Sequence, residues 1–264
     1  MKFISPLSWP GGKAKHFDKI KALLPAKFDK FIDLFCGGAS VGLNVLDQQL
    51  CNKVVFNDLH SDLINFWREG IHLIELDYLQ KLAYSNSKTI DEMKEKIAND
   101  YCLNTGEKFL IKNALTFNGK EWGTWTDKIL QQNFNFNKLL IIQNVRKLLV
   151  DLKNNIEFYN LDYKNIINKY YMDKNIVWYL DPPYFYNKGR VYKHSKMNFY
   201  ELKDNILNIK GKWILSIDNS EFIKDLFKEF NINEFKWVYS STNYHNKKPK
   251  LGQELIITNF KECD

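Results

Sequence analysis

Five apolar residues, Ile176-Val177-Trp178-Tyr179-Leu180, run unbroken and stop at Asp181-Pro182-Pro183-Tyr184. A short run rich in β-branched and aromatic residues predicts a buried strand. Two prolines cannot continue a backbone ladder, so the strand ends there and leaves a carboxylate at its C-terminal edge. In open α/β sheets that edge is where ligands bind. The prolines withhold two N–H donors while their carbonyls can still accept, and Tyr184 adds a flat, amphipathic ring. A carboxylate, a carbonyl and a ring on a stiff backbone suit a planar amine. Asp-Pro is also ordinary turn chemistry, so the segment takes its meaning from the rest of the chain.

Around it the pattern alternates strand and helix. Phe31-Ile32-Asp33-Leu34-Phe35 reads as a strand, Cys36–Gly42 as a glycine-rich turn, and Val41, Val45 and Leu46 as a helical stripe. Such a turn lets a nucleotide-like ligand lie against backbone and a helix N-terminus, although the spacing is not Gly-x-Gly-x-x-Gly. The next strand, Lys53–Phe56, ends in Asn57-Asp58. An acidic residue about 20 positions beyond the glycines is placed to bind the ribose hydroxyls of an adenosine-containing cofactor. Ahead of these elements lies Pro6–Lys13, where Gly11-Gly12 permit close backbone approach and Lys13 can meet a carboxylate. A helix beginning near Ala14 carries Phe17, Ile20, Leu23 and Leu24 until Pro25 stops it. Later, Trp213–Ile217 predicts a buried strand, and Asp218-Asn219-Ser220 an N-cap for a helix through Phe230. Lys236–Ser241 and Glu254–Asn259 predict an antiparallel pair across the lysine-rich segment Asn243–Lys250.

From Leu63 to about Asn155 the alternation lapses. Thr89–Tyr101 and Leu139–Leu152 read as helices, and between them Asn118-Gly119 sits among aromatic and β-branched residues, a hairpin signal. A helical insertion with an aromatic hairpin fits a device that enters a DNA groove, and equally a structural lid. A second basic stretch, Phe185–Lys196, holds Lys188, Arg190 and Lys193 and suits phosphate contacts. The formal net charge of +7 favours a polyanionic partner, and 15% aromatic residues suit stacking on bases. Cys36, Cys51, Cys102 and Cys263 show no metal-binding spacing, which predicts reduced thiols in a cytoplasmic protein without structural zinc. No apolar signal core follows Met1 and no run reaches membrane-spanning length.

The order of these parts resembles the Dam-like (D12 class) DNA adenine-N6 methyltransferases: Trp-Pro-Gly-Gly-Lys, Asp-Leu-Phe-Cys-Gly-Gly, Asn-Asp, an insertion, then Asp-Pro-Pro-Tyr. The resemblance implies a Rossmann-like methyltransferase core with a seven-stranded mixed sheet, its last strand antiparallel, and an inserted target-recognition domain. We expect the core at residues 1–62 and 156–264 and the insertion at 63–155. It implies S-adenosylmethionine as cofactor, with no metal. Trp9, Gly12 and Lys13 would help hold that cofactor, Lys13 near its carboxylate. Asp33, Phe35, Cys36, Gly37 and Gly38 would line its methionine and ribose, Asp58 would take the ribose hydroxyls, and Asp162 with Tyr163 would contact the adenine ring. Asp181, Pro182, Pro183 and Tyr184 would be catalytic, with Asp181 also bordering the cofactor. DNA contacts would fall to Asn118, Lys120, Trp125, Lys188, Arg190, Lys193, Lys247 and Lys248.

The resemblance further implies double-stranded DNA as partner, room for a cognate restriction endonuclease, no membrane, and a monomer or weak dimer in the cytoplasm. The hairpin segment Asn118–Trp125 has no arginine, so recognition of GATC is not assigned. Three other readings compete. Acceptors such as RNA adenine, cytosine N4 or protein glutamine would keep the fold. A catalytically silent DNA-binding subunit would be free to lose Asp181–Tyr184, which is intact here. A nicotinamide-dependent enzyme lacks its glycine fingerprint.

Overall fold

In a computed structural model, residues 5–84, 95, 104–115, 136–183, 197–238 and 251–261 are described. Along the chain these form α1 (Phe17–Ala22), β1 (Lys30–Asp33), α2 (Ser40–Asp47), β2 (Lys53–Asn57) and α3 (Ser61–Asn65). A π-helical turn (Phe66–Gly70) leads into α4 (Ile71–Leu73), α5 (Leu76–Tyr84), α6 (Thr105–Leu115) and α7 (Phe136–Asp151). Then come β3 (Ile156–Tyr159), α8 (Tyr163–Tyr170), β4 (Ile176–Leu180), α9 (Phe199–Ile206), β5 (Lys212–Asp218), α10 (Glu221–Leu226), β6 (Asn231–Val238) and β7 (Leu251–Thr258).

The strands build one seven-stranded sheet in the order β3-β2-β1-β4-β5-β7-β6. The first five strands are parallel, whereas β7 runs antiparallel to both β5 and β6. This is the mixed sheet that the resemblance implies. After β1 the chain builds outward through β2 and β3, then returns to place β4 on the other side of β1. Such a reversal opens a crevice at the carboxyl ends of the two central strands. Asp33 ends β1, and Asp181 follows the last residue of β4. All five residues of β4 are buried because both sheet faces are covered.

Two apolar clusters flank the sheet. One joins Phe31, Val54, Phe56, Val177, Tyr179, Ile214 and Ile256 to α1, α2 and the helices from α3 to α7. The other joins the alternate residues Ile32, Val55, Trp178 and Leu215 to α8, α9 and α10. Helix α10 stops at Leu226, short of the expected Phe230. Phe227 leaves the helical conformation, and its ring and that of Phe230 turn inward, Phe230 lying 4.8 Å from Trp213. Packing of two aromatic rings overrides the helical period there. Strand β6 starts at Asn231, ahead of the expected Lys236.

The described helices of residues 63–155 share the core. Leu63, Trp67, Ile71, Leu110, Ile111, Ile142 and Val145 belong to the same cluster as β1 and β4, and position 62/63 falls inside α3. Helix α6 crosses the π-helical turn so closely that a Cβ on Gly106 would stand 1.8 Å from the Gly70 carbonyl oxygen. Buried Glu107 accepts the Glu75 N–H at 2.7 Å, while Asn104 accepts the Glu107 N–H at 2.9 Å, a capping arrangement that locks the start of α6. Arg146 of α7 donates to the carbonyls of His72 and Ile74 at 2.9 and 3.0 Å. The expected helix at Thr89–Tyr101, Glu95 apart, and the whole hairpin at Asn118-Gly119 lie outside the described residues.

Candidate active site

Period-two alternation puts several polar residues on one face of the sheet, each two positions beyond an apolar member of the first cluster. Asp33 follows Phe31, Asp58 follows Phe56, Asp181 follows Tyr179 and Ser216 follows Ile214. Strand β7 runs the other way, so Glu254 precedes Ile256 and pairs in register with Asp218 at the end of β5. Sheet topology thus brings four carboxylates to the C-terminal edge. Asp33 and Glu254 are buried there.

Into this face the N-terminal loop inserts Lys13, itself only 3% exposed. Its backbone N–H donates to the Ser40 hydroxyl at 3.0 Å, which ties the loop to the start of α2. The ammonium lies 2.9 Å from Asp181 Oδ2, 2.8 Å from the Gly11 carbonyl and 3.6 Å from Glu254 Oε2. Burial pulls this lysine down, but the charges of Asp181 and Glu254 more than reverse it and leave it raised. The carboxylates that Lys13 meets are the chain's own.

Asp33 accepts the Gly42 N–H at 3.0 Å. Burial pushes its carboxyl up to about 8; the Gly42 N–H opposes this, and the charges of Asp181 and Asp58 add to it. Asp33 is therefore largely protonated at neutral pH. Asp58 uses one oxygen for the Gly37 N–H at 2.9 Å and the other for the His60 N–H at 3.0 Å. Burial raises it too, against the backbone donors that hold it down.

The glycine turn is shaped by its neighbours. Gly37 has a φ of 46°, in the left-handed region that favours glycine. A Cβ at Gly37 would stand 2.3 Å from the Trp9 indole nitrogen, and one at Gly38 would stand 2.8 Å from Trp9 Cβ. The first group these glycines admit is thus Trp9. From the opposite side, Trp67 in the π-helical turn donates to the Gly37 carbonyl at 3.0 Å. Cys36 is buried beside the turn, its thiol pushed well above its ordinary range by burial and then by the charges of Asp58 and Asp33.

Trp9, Lys13, Asp33, Cys36, Gly37, Gly38, Asp58 and Asp181 therefore gather at one end of the sheet. Gly12 closes a turn on the Trp9 carbonyl at 3.3 Å. Phe35, Asp162 and Tyr163 belong to the other face, where Phe35 and Tyr163 lie 5.5 Å apart and Asp162 caps α8 through the Lys164 N–H. Pro182 is buried and Pro183 half-buried. Tyr184, Asn118, Lys120, Trp125, Lys188, Arg190, Lys193, Lys247 and Lys248 lie outside the described residues. Sequence reasoning missed Glu254, Ser216 and Trp67. A carboxylate at the inward position of an apolar strand was the available signal for Glu254; Trp67 gave none, because its contact depends on a π-helical turn.

Residues 9–241 match the model of the D12 class N6 adenine-specific DNA methyltransferases. The Type II methyltransferase M.FokI of Planomicrobium okeanokoites is 26% identical over 97% of the chain, and the modification methylase StsI of Streptococcus sanguinis 24% identical over 97%. The chain spans 43% of the length of each of these two. The Type II methyltransferase M1.LlaDCHI of Lactococcus lactis subsp. cremoris is 25% identical, over 96% of the chain and 94% of that protein.

Proposed function

We propose that this chain, which belongs to the D12 class N6 adenine-specific DNA methyltransferase family, transfers a methyl group to the exocyclic N6 amine of adenine within a short site in duplex DNA. The observation that carries the reading is Asp181, set at the end of a fully buried strand, beside the glycine turn and held by Lys13 at 2.9 Å.

The chemistry demands what these residues offer. The N6 lone pair of adenine is delocalised into the ring, so the amine is a weak nucleophile. Asp181 accepts one amine hydrogen and the Pro182 carbonyl the other, which favours a pyramidal nitrogen with its lone pair directed outward. S-adenosylmethionine supplies the methyl group on a positively charged sulfur. The residues fit that donor: a face on which Asp58 and Asp181 stand half-buried favours a positive centre, and the Trp9 ring packs on the Gly37-Gly38 turn beside them. Asp33, Asp58, Trp9 and the glycine turn would hold it. The nitrogen gains a methyl and gives up one proton, for which Asp181 is the nearest acceptor in this reading. Holding donor carbon and nitrogen within about 3–3.5 Å and in line supplies most of the rate.

Duplex DNA is the partner consistent with the family and with the net charge of +7. A paired adenine must leave the stack to reach a crevice at a sheet edge, and Tyr184 is the ring assigned to receive it. The insertion and the basic segments at 185–196 and 243–250 are assigned to DNA. The names of the relatives, modification methylases among them, support a protective role beside a cognate endonuclease.

The test is transfer of labelled methyl from S-adenosylmethionine to unmethylated genomic DNA, followed by single-molecule mapping of modified bases. N6-methyladenine confined to one short motif is expected. Cofactor binding with no label on DNA would overturn the choice of acceptor.

A further inference from the structure

We propose that Glu254 is a positioning residue for methyl transfer: it holds the Lys13 ammonium from β7 while Asp181 meets it from the end of β4, so that Asp181 is oriented without being neutralised. This rests on the methyltransferase reading above and deepens it.

Glu254 is 1% exposed and lies on β7 among Leu255, Ile256 and Ile257, all buried. Burying a carboxylate costs several kcal/mol, and an apolar side chain would serve a central strand better. The cost needs a partner, and the structure provides two. Glu254 Oε2 lies 3.6 Å from Lys13 Nζ and accepts the Ser216 hydroxyl at 3.4 Å. Ser216 sits on β5, the strand paired with β7, so the carboxylate is fixed by the sheet itself.

An ammonium group has three donors. Those of Lys13 reach Asp181 and the Gly11 carbonyl, and Glu254 stands at ion-pair distance, 3.6 Å away. Paired with Asp181 alone, a desolvated lysine would close on it, and the resulting neutral pair would accept a weakly acidic amine hydrogen poorly. Two carboxylates sharing one cation keep a net negative charge. Lys13 then restrains Asp181 while Glu254 draws part of the ammonium's field away. Glu254 acts only through Lys13 and need not touch either substrate.

The experiment compares wild type, Glu254→Gln, Glu254→Asp and Ser216→Ala by methyl transfer to DNA, by calorimetric binding of S-adenosylmethionine and by thermal unfolding. Glu254→Gln keeps the shape and the Ser216 contact but removes the charge. We expect kcat to fall about 10- to 100-fold, the scale of a misplaced reacting group. Cofactor affinity and KM for DNA should stay within about 3-fold, and Glu254→Asp should recover part of the rate. A folded Glu254→Gln protein with wild-type kcat overturns the assignment. So does a loss confined to cofactor affinity or KM. If Glu254→Gln does not fold, Ser216→Ala decides: a fall in kcat alone supports the role, and an unchanged kcat overturns it. Absence of transfer by the wild-type chain overturns the functional reading, and this one with it.

Discussion

Removing the buried cation of the sheet edge tests the charge architecture directly, without any ligand. In Lys13→Met a side chain of similar length replaces an ammonium that lies 2.9 Å from Asp181 and 3.6 Å from Glu254. At an effective dielectric constant of about 20 these pairs attract by roughly 6 and 5 kcal/mol before desolvation is counted. The lysine recovers its own hydration cost when it is removed, but the two carboxylates are stranded. Breaking a buried pair in this way costs about 3–5 kcal/mol. The cost must depend on pH. Without Lys13, the repulsion among the clustered carboxylates is no longer offset, and it is greatest when all of them are charged. Protonation relieves that repulsion at low pH, and the relief is lost as pH rises. Urea unfolding of both proteins, followed by tryptophan fluorescence between about pH 5 and 8, should therefore show a deficit that is small at the acid end and grows toward the full value. Adding Glu254→Gln to Lys13→Met should restore about 1–3 kcal/mol at the alkaline end, because one stranded charge is gone. A deficit below about 1 kcal/mol and flat with pH would refute the reasoning; it would mean that water screens these charges as it does on a surface.

Three further outcomes follow from the same geometry. Asp181→Ala should abolish methyl transfer while cofactor binding by calorimetry persists, since Lys13 keeps Glu254 as a partner; near-normal transfer would sink the catalytic assignment. Asp33, with its carboxyl at about 8 against an ordinary 3.8, binds a proton in the folded chain that the unfolded chain releases. The stabilisation is complete below about pH 4 and is lost as pH rises toward 8, so Asp33→Asn should gain on wild type by up to about 1.4 kcal/mol per pH unit across that window, read from urea midpoints. Gly106→Ala would place a methyl 1.8 Å from the Gly70 oxygen and 2.4 Å from its carbonyl carbon, both backbone atoms that cannot swing aside. It should cost about 3 kcal/mol and, by shifting the turn that carries Trp67, weaken cofactor binding too; an unchanged unfolding midpoint would contradict it.

What could be read in the sequence was whatever depends on neighbours along the chain. Val54-Val55-Phe56 and Ile176–Leu180 announce strands because their side chains are apolar on both alternate sets, and the prolines after Asp181 mark the edge. Ser220 announces a cap because capping is local, and it does accept the Ile223 N–H. Contacts between distant segments could not be read. Lys13 and Asp181 are 168 residues apart, and their meeting depends on where β1 and β4 lie in the sheet. The role of the glycines was legible only in part. Close approach was foreseen, and that the Trp9 ring packs on Gly37 and Gly38 only the folded loop reveals. The end of α10 was misplaced because Phe227 and Phe230 fit a helical stripe as well as they fit the core beside Trp213.

The charges also explain how one chain could attract both a polyanion and a cation. The formal balance of 38 basic and 31 acidic residues leaves +7 overall, which suits phosphate. Yet the buried charged groups of the sheet edge are Lys13, Asp33 and Glu254, with Asp181 and Asp58 half-buried beside them. With Asp33 protonated, the edge is negative even after Lys13 is counted. The two signs can coexist because salt screens exposed charges over about 8–10 Å, whereas a crevice walled by protein keeps its own field. Were Asp33 ionised as well, a third stranded carboxylate would face Asp181 and Asp58 with no further buried cation among the described residues to answer it. Its raised value therefore limits the negative charge of the edge to what one lysine can hold in place.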